Sequence, residues 1–109
     1  MKKTKITSPR VAPTRSYVSQ AVRHGDTLYL SGMVGEDPDG SIVPGGIEGQ
    51  ARQALTNAKE ILETAGLGLE DVLLCQCFIS DASYFSGMNK VYGEFFDGLD
   101  VPPARYTII

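Results

Sequence analysis

Histidine occurs once in this chain, at position 24, and cysteine twice, at positions 75 and 77. Their scarcity excludes a good deal. A lone histidine in a His24-Gly25-Asp26 turn gives no reason for a serine and a carboxylate to converge on it, so a hydrolytic triad has no support. Two cysteines with no further partner complete neither a zinc site nor a disulfide framework. Two apart on a strand, they share a face and are poorly placed to bond each other, so they are expected to be buried thiols in a reducing compartment. Glycines are plentiful, yet no G-x-x-x-x-G-K-[ST] occurs and no G-x-G-x-x-G opens a helix. Metal-ligand spacings are lacking too, and a redox cofactor has no visible anchor. No apolar run approaches the roughly 20 residues needed to span a bilayer. The N-terminus is polar and lacks the apolar segment of a secretion signal, so the expected location is cytoplasmic. Basic excess is absent as well: the net charge is -3, which argues against a nucleic-acid partner. The one basic cluster, Lys2, Lys3, Lys5, Arg10 and Arg15, reads as a solvated terminal arm.

What is present suits a single domain over residues 1–109. Hydrophobic residues make up 42% and charged residues 21% of the chain, an ordinary globular balance. A chain this short has much surface for its volume, which makes oligomerisation a way to bury more. Residues 1–15, with Pro9 and Pro13, read as an irregular arm with room for one short strand. Strand composition over residues 17–22, the turn at His24-Gly25-Asp26 and a strand over 27–34 predict a hairpin, with Leu28, Leu30 and Val34 on one face. Ile47, Ala51, Ala54, Leu55, Ala58, Ile61, Leu62 and Ala65 fall at helical spacing, and Gly66 is placed to stop that helix. Glu48 with Arg52 and Lys59 with Glu63 lie four apart on its outer face. The apolar run 72–79 suits a strand buried on both faces. Asp81 or Ser83 is expected to cap a second helix bearing Phe85, Met88, Tyr92, Phe95 and Phe96. Gly87 and Gly93 weaken that helix by about 1 kcal/mol each. Residues 104–109 form a last strand. The predicted class is α+β, a mixed sheet with both helices packed on one face.

Few residues carry chemistry. Arg105 begins a strand of otherwise apolar or small residues. At the rim of a sheet its guanidinium either pairs with a neighbouring acid as a structural arginine, or grips a carboxylate through two parallel charge-assisted bonds. Position alone leaves both open.

Several strings, in order, are similar to the Rid (reactive intermediate deaminase, or YjgF) family. They are Tyr17-Val18-Ser19-Gln20, Leu30-Ser31-Gly32, residues 50–57, residues 89–96 and Pro102-Pro103-Ala104-Arg105. The resemblance implies a chorismate-mutase-like fold and a homotrimer with its sites between subunits. It implies that Arg105 binds the carboxylate of a small imine or enamine acid, that water adds to the C=N bond, and that ammonia leaves to give a 2-oxo acid. No cofactor is implied. Tyr17 is expected to reach the substrate from the adjacent subunit, Ser31 and Gly32 to line the cleft, the backbone at Thr107 to donate to substrate or water, and Asn89 to lie nearby. Two departures stand out. Family members continue with a loop and a last strand carrying a glutamate, whereas this sequence stops at Ile109, so an unpaired sheet edge is expected. Arg15-Ser16 precedes Tyr17 where the enamine deaminases tend to have Gly-Pro, which points to a different substrate. The alternatives carried with this resemblance are a non-catalytic module binding small carboxylates and an RNA-cleaving relative.

Overall fold

The computed structural model of the chain describes residues 2–109. The arm holds one short strand, β1 (Thr4–Ile6), which pairs antiparallel with β2 (Ala21–His24); β2 pairs in turn with β3 (Thr27–Leu30). The predicted hairpin is present, with Gly25 and Asp26 as its two-residue turn. β2 starts at Ala21 rather than at Tyr17, because residues 15–18 are taken up in a turn whose Val18 N–H donates to the Arg15 carbonyl at 3.0 Å. Val34, expected on the buried face with Leu28 and Leu30, lies beyond the end of β3 and is exposed.

Helix α1 (Gly46–Thr64) follows the predicted stripe and lays Ile61 and Leu62 inward. Its end is a Schellman motif. Gly66 sits at φ 80, its N–H donates to the Glu63 carbonyl at 3.0 Å, and the Leu67 N–H donates to the Leu62 carbonyl at 2.8 Å. The Arg23 guanidinium donates to the Ala65 carbonyl, bringing positive charge to the negative end of the helix dipole. α1 covers the three-stranded sheet, where Ile61 joins Val11 and Ala21 in a core against which Ile6, Leu28, Leu30 and Met33 pack.

The second half contains β4 (Leu74–Phe78), α2 (Phe85–Phe96) and β5 (Ala104–Ile108). Asp81 accepts from the Ser83 N–H at 2.8 Å and caps the short 3-10 turn that leads into α2. Gly87, expected to weaken α2, lies where that helix crosses α1: a Cβ there would stand 2.8 Å from Ile47 Cγ2. The crossing gives its helix penalty a purpose, whereas nothing in the structure explains Gly93. The charges on α1 pair differently from the expectation. Arg52 reaches Glu94 at 2.7 Å and Glu48 reaches Lys90 at 3.1 Å, so both bridge to α2 and not along α1. Exposed pairs of this kind contribute about 0–1 kcal/mol each.

β4 and β5 run parallel, as the α2 crossover requires. The fold is therefore α+β with mixed strand directions, but the strands form two hydrogen-bonded ladders, β1-β2-β3 and β4-β5, with none joining them among the described residues. β4 also departs from the expectation of burial on both faces. Cys75 and Cys77 turn inward, while Leu74 and Phe78 stay exposed, Phe78 at 67%. Tyr106 and Ile108 extend this uncovered apolar face along β5, because α2 lies on the other side, against Arg105. Among the described residues no helix is long and apolar enough to cross a membrane.

Two buried polar side chains fix the loops. Gln20, 2% exposed, accepts from the Ser8 N–H at 2.6 Å and donates to the carbonyls of Ser8, Val11 and Ala12. Asn57, on the inner face of α1, donates to the carbonyls of Val34 and Glu36 and accepts from Gln53. Truncating such a clamp strands buried backbone groups, each costing about 1–3 kcal/mol. Gln20→Ala is expected to lower the unfolding free energy by about 2–4 kcal/mol and to speed amide exchange at Ser8. A urea titration showing less than about 0.5 kcal/mol of change would mean that water replaces the clamp freely.

Candidate functional site

Strand parity decides what faces α2. In the parallel register Arg105 stands beside Cys75 and Thr107 beside Cys77, and all four turn toward the helix side while their neighbours turn away. α2 lies across them and offers Phe85, Asn89 and Tyr92, at spacings of four and three residues, from one of its faces. Arg105 Nη1 donates to Asn89 Oδ1 at 2.8 Å. The guanidinium carbon lies 4.6 Å from the centroid of the Tyr92 ring and 5.7 Å from that of Phe85. Cation–π contacts of this kind contribute about 0.5–2 kcal/mol.

No carboxylate pairs with Arg105 among the described residues. The ion pairs present use Arg10 with Glu60, Arg52 with Glu94 and Lys90 with Glu48. Arg105 is thus oriented by neutral partners that leave its charge uncompensated. A guanidinium carries five N–H donors, and Asn89 engages one nitrogen. Such an arrangement is fit to receive an anion bidentately.

The thiols behind it are half-buried and free. Burial pushes the Cys75 thiol above its ordinary value, against smaller opposing effects from the Tyr92 hydroxyl and the Arg105 charge. Burial also raises Cys77, helped by Cys75 and opposed by Arg105. Tyr92 is raised as well, chiefly by burial and then by its interaction with Cys75. Its hydroxyl is buried without a partner of good hydrogen-bond geometry, so the thiol contact is a loose one. The three groups are neutral near pH 7, and the only formal charge in the cluster is that of Arg105.

The remaining expected site residues lie elsewhere in the chain. Tyr17 projects from its turn at 78% exposure and lines an open cavity of about 380 Å³ beside the arm. Ser31 and Gly32 line a second cavity of about 350 Å³, which extends to Asn57. Ser31 is held there, its hydroxyl donating to the Ser19 carbonyl and its N–H to the Gln20 carbonyl at 3.0 Å. Neither cavity includes Arg105, Asn89 or Thr107. One chain therefore groups Arg105 with Asn89 and, on the same strand face, with Thr107, and presents Tyr17, Ser31 and Gly32 on separate walls. Sequence reasoning took Phe85 and Tyr92 for core packing and gave the cysteines no role. Helical spacing put the two aromatics on one face, but only the β4–β5 register brings that face over Arg105.

The raised thiols give a linkage with a definite sign. A thiol raised on folding costs nothing below the unfolded value near 9, and it destabilises the fold as pH climbs from there through the folded value. Urea midpoints are expected to fall as pH rises from about 8 to about 10, and less so in a Cys75→Ala/Cys77→Ala variant. Equal falls in both proteins would remove the thiols from the account.

Comparison with known proteins agrees with this architecture. The model of the family described as endoribonuclease L-PSP matches residues 7–109. A RutC family protein of Sulfurisphaera tokodaii is 43% identical over 106 residues, spanning 96% of this chain and 82% of that protein. A 2-iminobutanoate/2-iminopropanoate deaminase of Bos taurus is 40% identical over 106 residues, 95% of this chain and 77% of the relative. The crystal structure of YyfA, a Rid family protein of unknown function from Yersinia pestis, superposes with a TM-score of 0.92 at 31% identity, covering 98% of this chain and 85% of that one. The chain belongs to the endoribonuclease L-PSP family, to which the Rid (YjgF) proteins belong.

Proposed function

We propose that the chain is a deaminase of small 2-imino acids and of 2-amino-unsaturated acids such as 2-aminoacrylate, which it hydrolyses to 2-oxo acids and ammonia. The observation that carries this reading is Arg105, held 2.8 Å from a neutral Asn89 and against the Tyr92 ring, with no acid opposite it among the described residues. A structural arginine would have its acid partner. The deaminase names of mammalian relatives point to the same chemistry.

The mechanism asks little of the protein. An imine hydrolyses in water unaided, so fixing its carboxylate on Arg105 serves mainly to hold the C=N carbon where water can attack from one side. A 2-amino-unsaturated acid first becomes the 2-imino acid as a proton moves from its nitrogen to its terminal carbon. Water oxygen then bonds to the C=N carbon, the nitrogen takes up protons and the new hydroxyl gives one up. The C–N bond of the resulting carbinolamine then breaks, and ammonia departs. Thr107 shares the strand face of Arg105, and among the described residues β5 pairs only with β4, which leaves the Thr107 backbone as a donor to the substrate or the water. Tyr17, Ser31 and Gly32 join the site when a neighbouring subunit brings them to Arg105, in a homotrimer with intersubunit clefts. The exposed apolar face of β4 and β5 supports such self-association. No cofactor enters this scheme.

RNA cleavage is a second reading, favoured by the description of the matching family model. The net charge of -3 speaks against it.

Ammonia and pyruvate release is measured while 2-aminoacrylate is generated in situ. The parent chain is expected to accelerate release over buffer, and Arg105→Ala to lower kcat/KM by about a hundredfold or more while keeping its circular dichroism spectrum. Full activity in the variant would sink the clamp, and RNA cleavage by a parent inert toward imines would favour the second reading. A folded parent that binds small carboxylates through Arg105 without accelerating release would be a binding module. Light scattering is expected to give three times the chain mass of 11.7 kDa, and a monomer with full activity would remove the intersubunit site.

A further inference from the structure

The cavity beside Tyr17 is cationic. Lys5 and Arg15 stand on its wall with the hydroxyl residues Ser16 and Ser19, and no aspartate or glutamate lines it. Neither cation meets a carboxylate, since the ion pairs among the described residues use Arg10, Arg52 and Lys90. The chain as a whole carries 13 acids against 10 bases, so an acid-free wall with two unpaired cations runs against its overall charge. An anion seated in the cavity is attracted by both.

The segment presenting Arg15 is held in place from both ends. The Arg15 carbonyl accepts from the Val18 N–H at 3.0 Å, and the Thr14 hydroxyl donates to the Val18 carbonyl. Upstream, the buried Gln20 side chain ties down Ser8, Val11 and Ala12. Arg15 and Tyr17 therefore leave the same braced turn, one charged and one aromatic, into the same open volume.

We propose that this cavity is a second anion subsite that reads a second negative group on the substrate, and that the preferred substrates are 2-imino dicarboxylic acids. The proposal rests on the deaminase reading above, in which a neighbouring subunit brings Tyr17 to Arg105. One substrate carboxylate lies on Arg105 and the other on Arg15 and Lys5, with the C=N carbon between them. The balance is that of imine hydrolysis: water adds its oxygen to the carbon, the nitrogen takes the protons, the C–N bond breaks, and ammonia and a 2-oxo dicarboxylic acid leave. No electrons are exchanged.

The test compares two imines released in situ by amino-acid oxidases, 2-iminoglutarate from glutamate and 2-iminobutanoate from 2-aminobutanoate, with semicarbazide competing for each. The parent chain is expected to favour 2-iminoglutarate by about tenfold or more in kcat/KM. Arg15→Ala is expected to reduce that preference about tenfold, mainly through KM, and Arg15→Lys to recover part of it. Lys5→Ala serves as the second variant, with a smaller loss of preference expected, should Arg15→Ala fail to fold. Equal kcat/KM for the two imines, or an undiminished preference in folded Arg15→Ala, overturns the subsite and leaves the Arg105 reading standing. Turnover of neither imine by the folded parent removes both. Loss of activity toward both imines in Arg105→Ala, with turnover retained but the preference reduced in Arg15→Ala and Lys5→Ala, is the pattern expected if the two sites hold opposite ends of one molecule.

Discussion

Everything in the second half of the chain bears on one cation held against aromatic rings without an acid. Taking a charge partly out of water is costly unless other groups replace the lost hydration. Here Asn89 supplies a carbonyl oxygen and Tyr92 and Phe85 supply ring faces, all from α2. Asn89 and the two rings meet Arg105 only if α2 lies across β5 in this register, and α2 lies there because Gly87 lets it cross close over Ile47. The positive field of Arg105 opposes the effect of burial on Cys75, Cys77 and Tyr92, yet burial prevails at all three.

The parts of the fold that were legible from sequence are those written in local periodicity. The α1 stripe, its stop at Gly66, the Gly25-Asp26 hairpin and the order of elements all follow from residues close together in the chain. Failures came where the deciding partner lies far away. Glu48 and Arg52 look like a pair along one helix, but each finds a better-placed partner on α2. Residues 72–79 look buried on both faces because apolarity alone does not say which face a helix will cover. Gln20 and Asn57 read as ordinary polar residues, although each satisfies backbone groups of a loop distant in sequence. Arg105 was visible as a candidate, but its two alternatives differed only in whether an acid stood opposite, which no local pattern encodes.

The polar clamps and the candidate site share a logic. A chain with so small a core cannot rely on apolar packing to hold long irregular stretches. It uses single amides instead: Gln20 braces the arm, Asn57 the loop after β3, and Asn89 the guanidinium. An amide can donate and accept at once and brings no charge of its own, so it orients a neighbour without neutralising it. For Arg105 that distinction separates a structural ion pair from an open anion receptor.

The two ladders have a mechanical consequence. With no backbone hydrogen bonds running from β1-β2-β3 to β4-β5 among the described residues, the halves are joined chiefly where α1 meets α2, through Ile47 against Gly87 and two exposed ion pairs. Side-chain seams are weaker and more sensitive to salt than a continuous sheet. Among the described residues the coupling between the two ladders is therefore concentrated at one joint, and a change at Ile47 or Gly87 is felt on both sides of it.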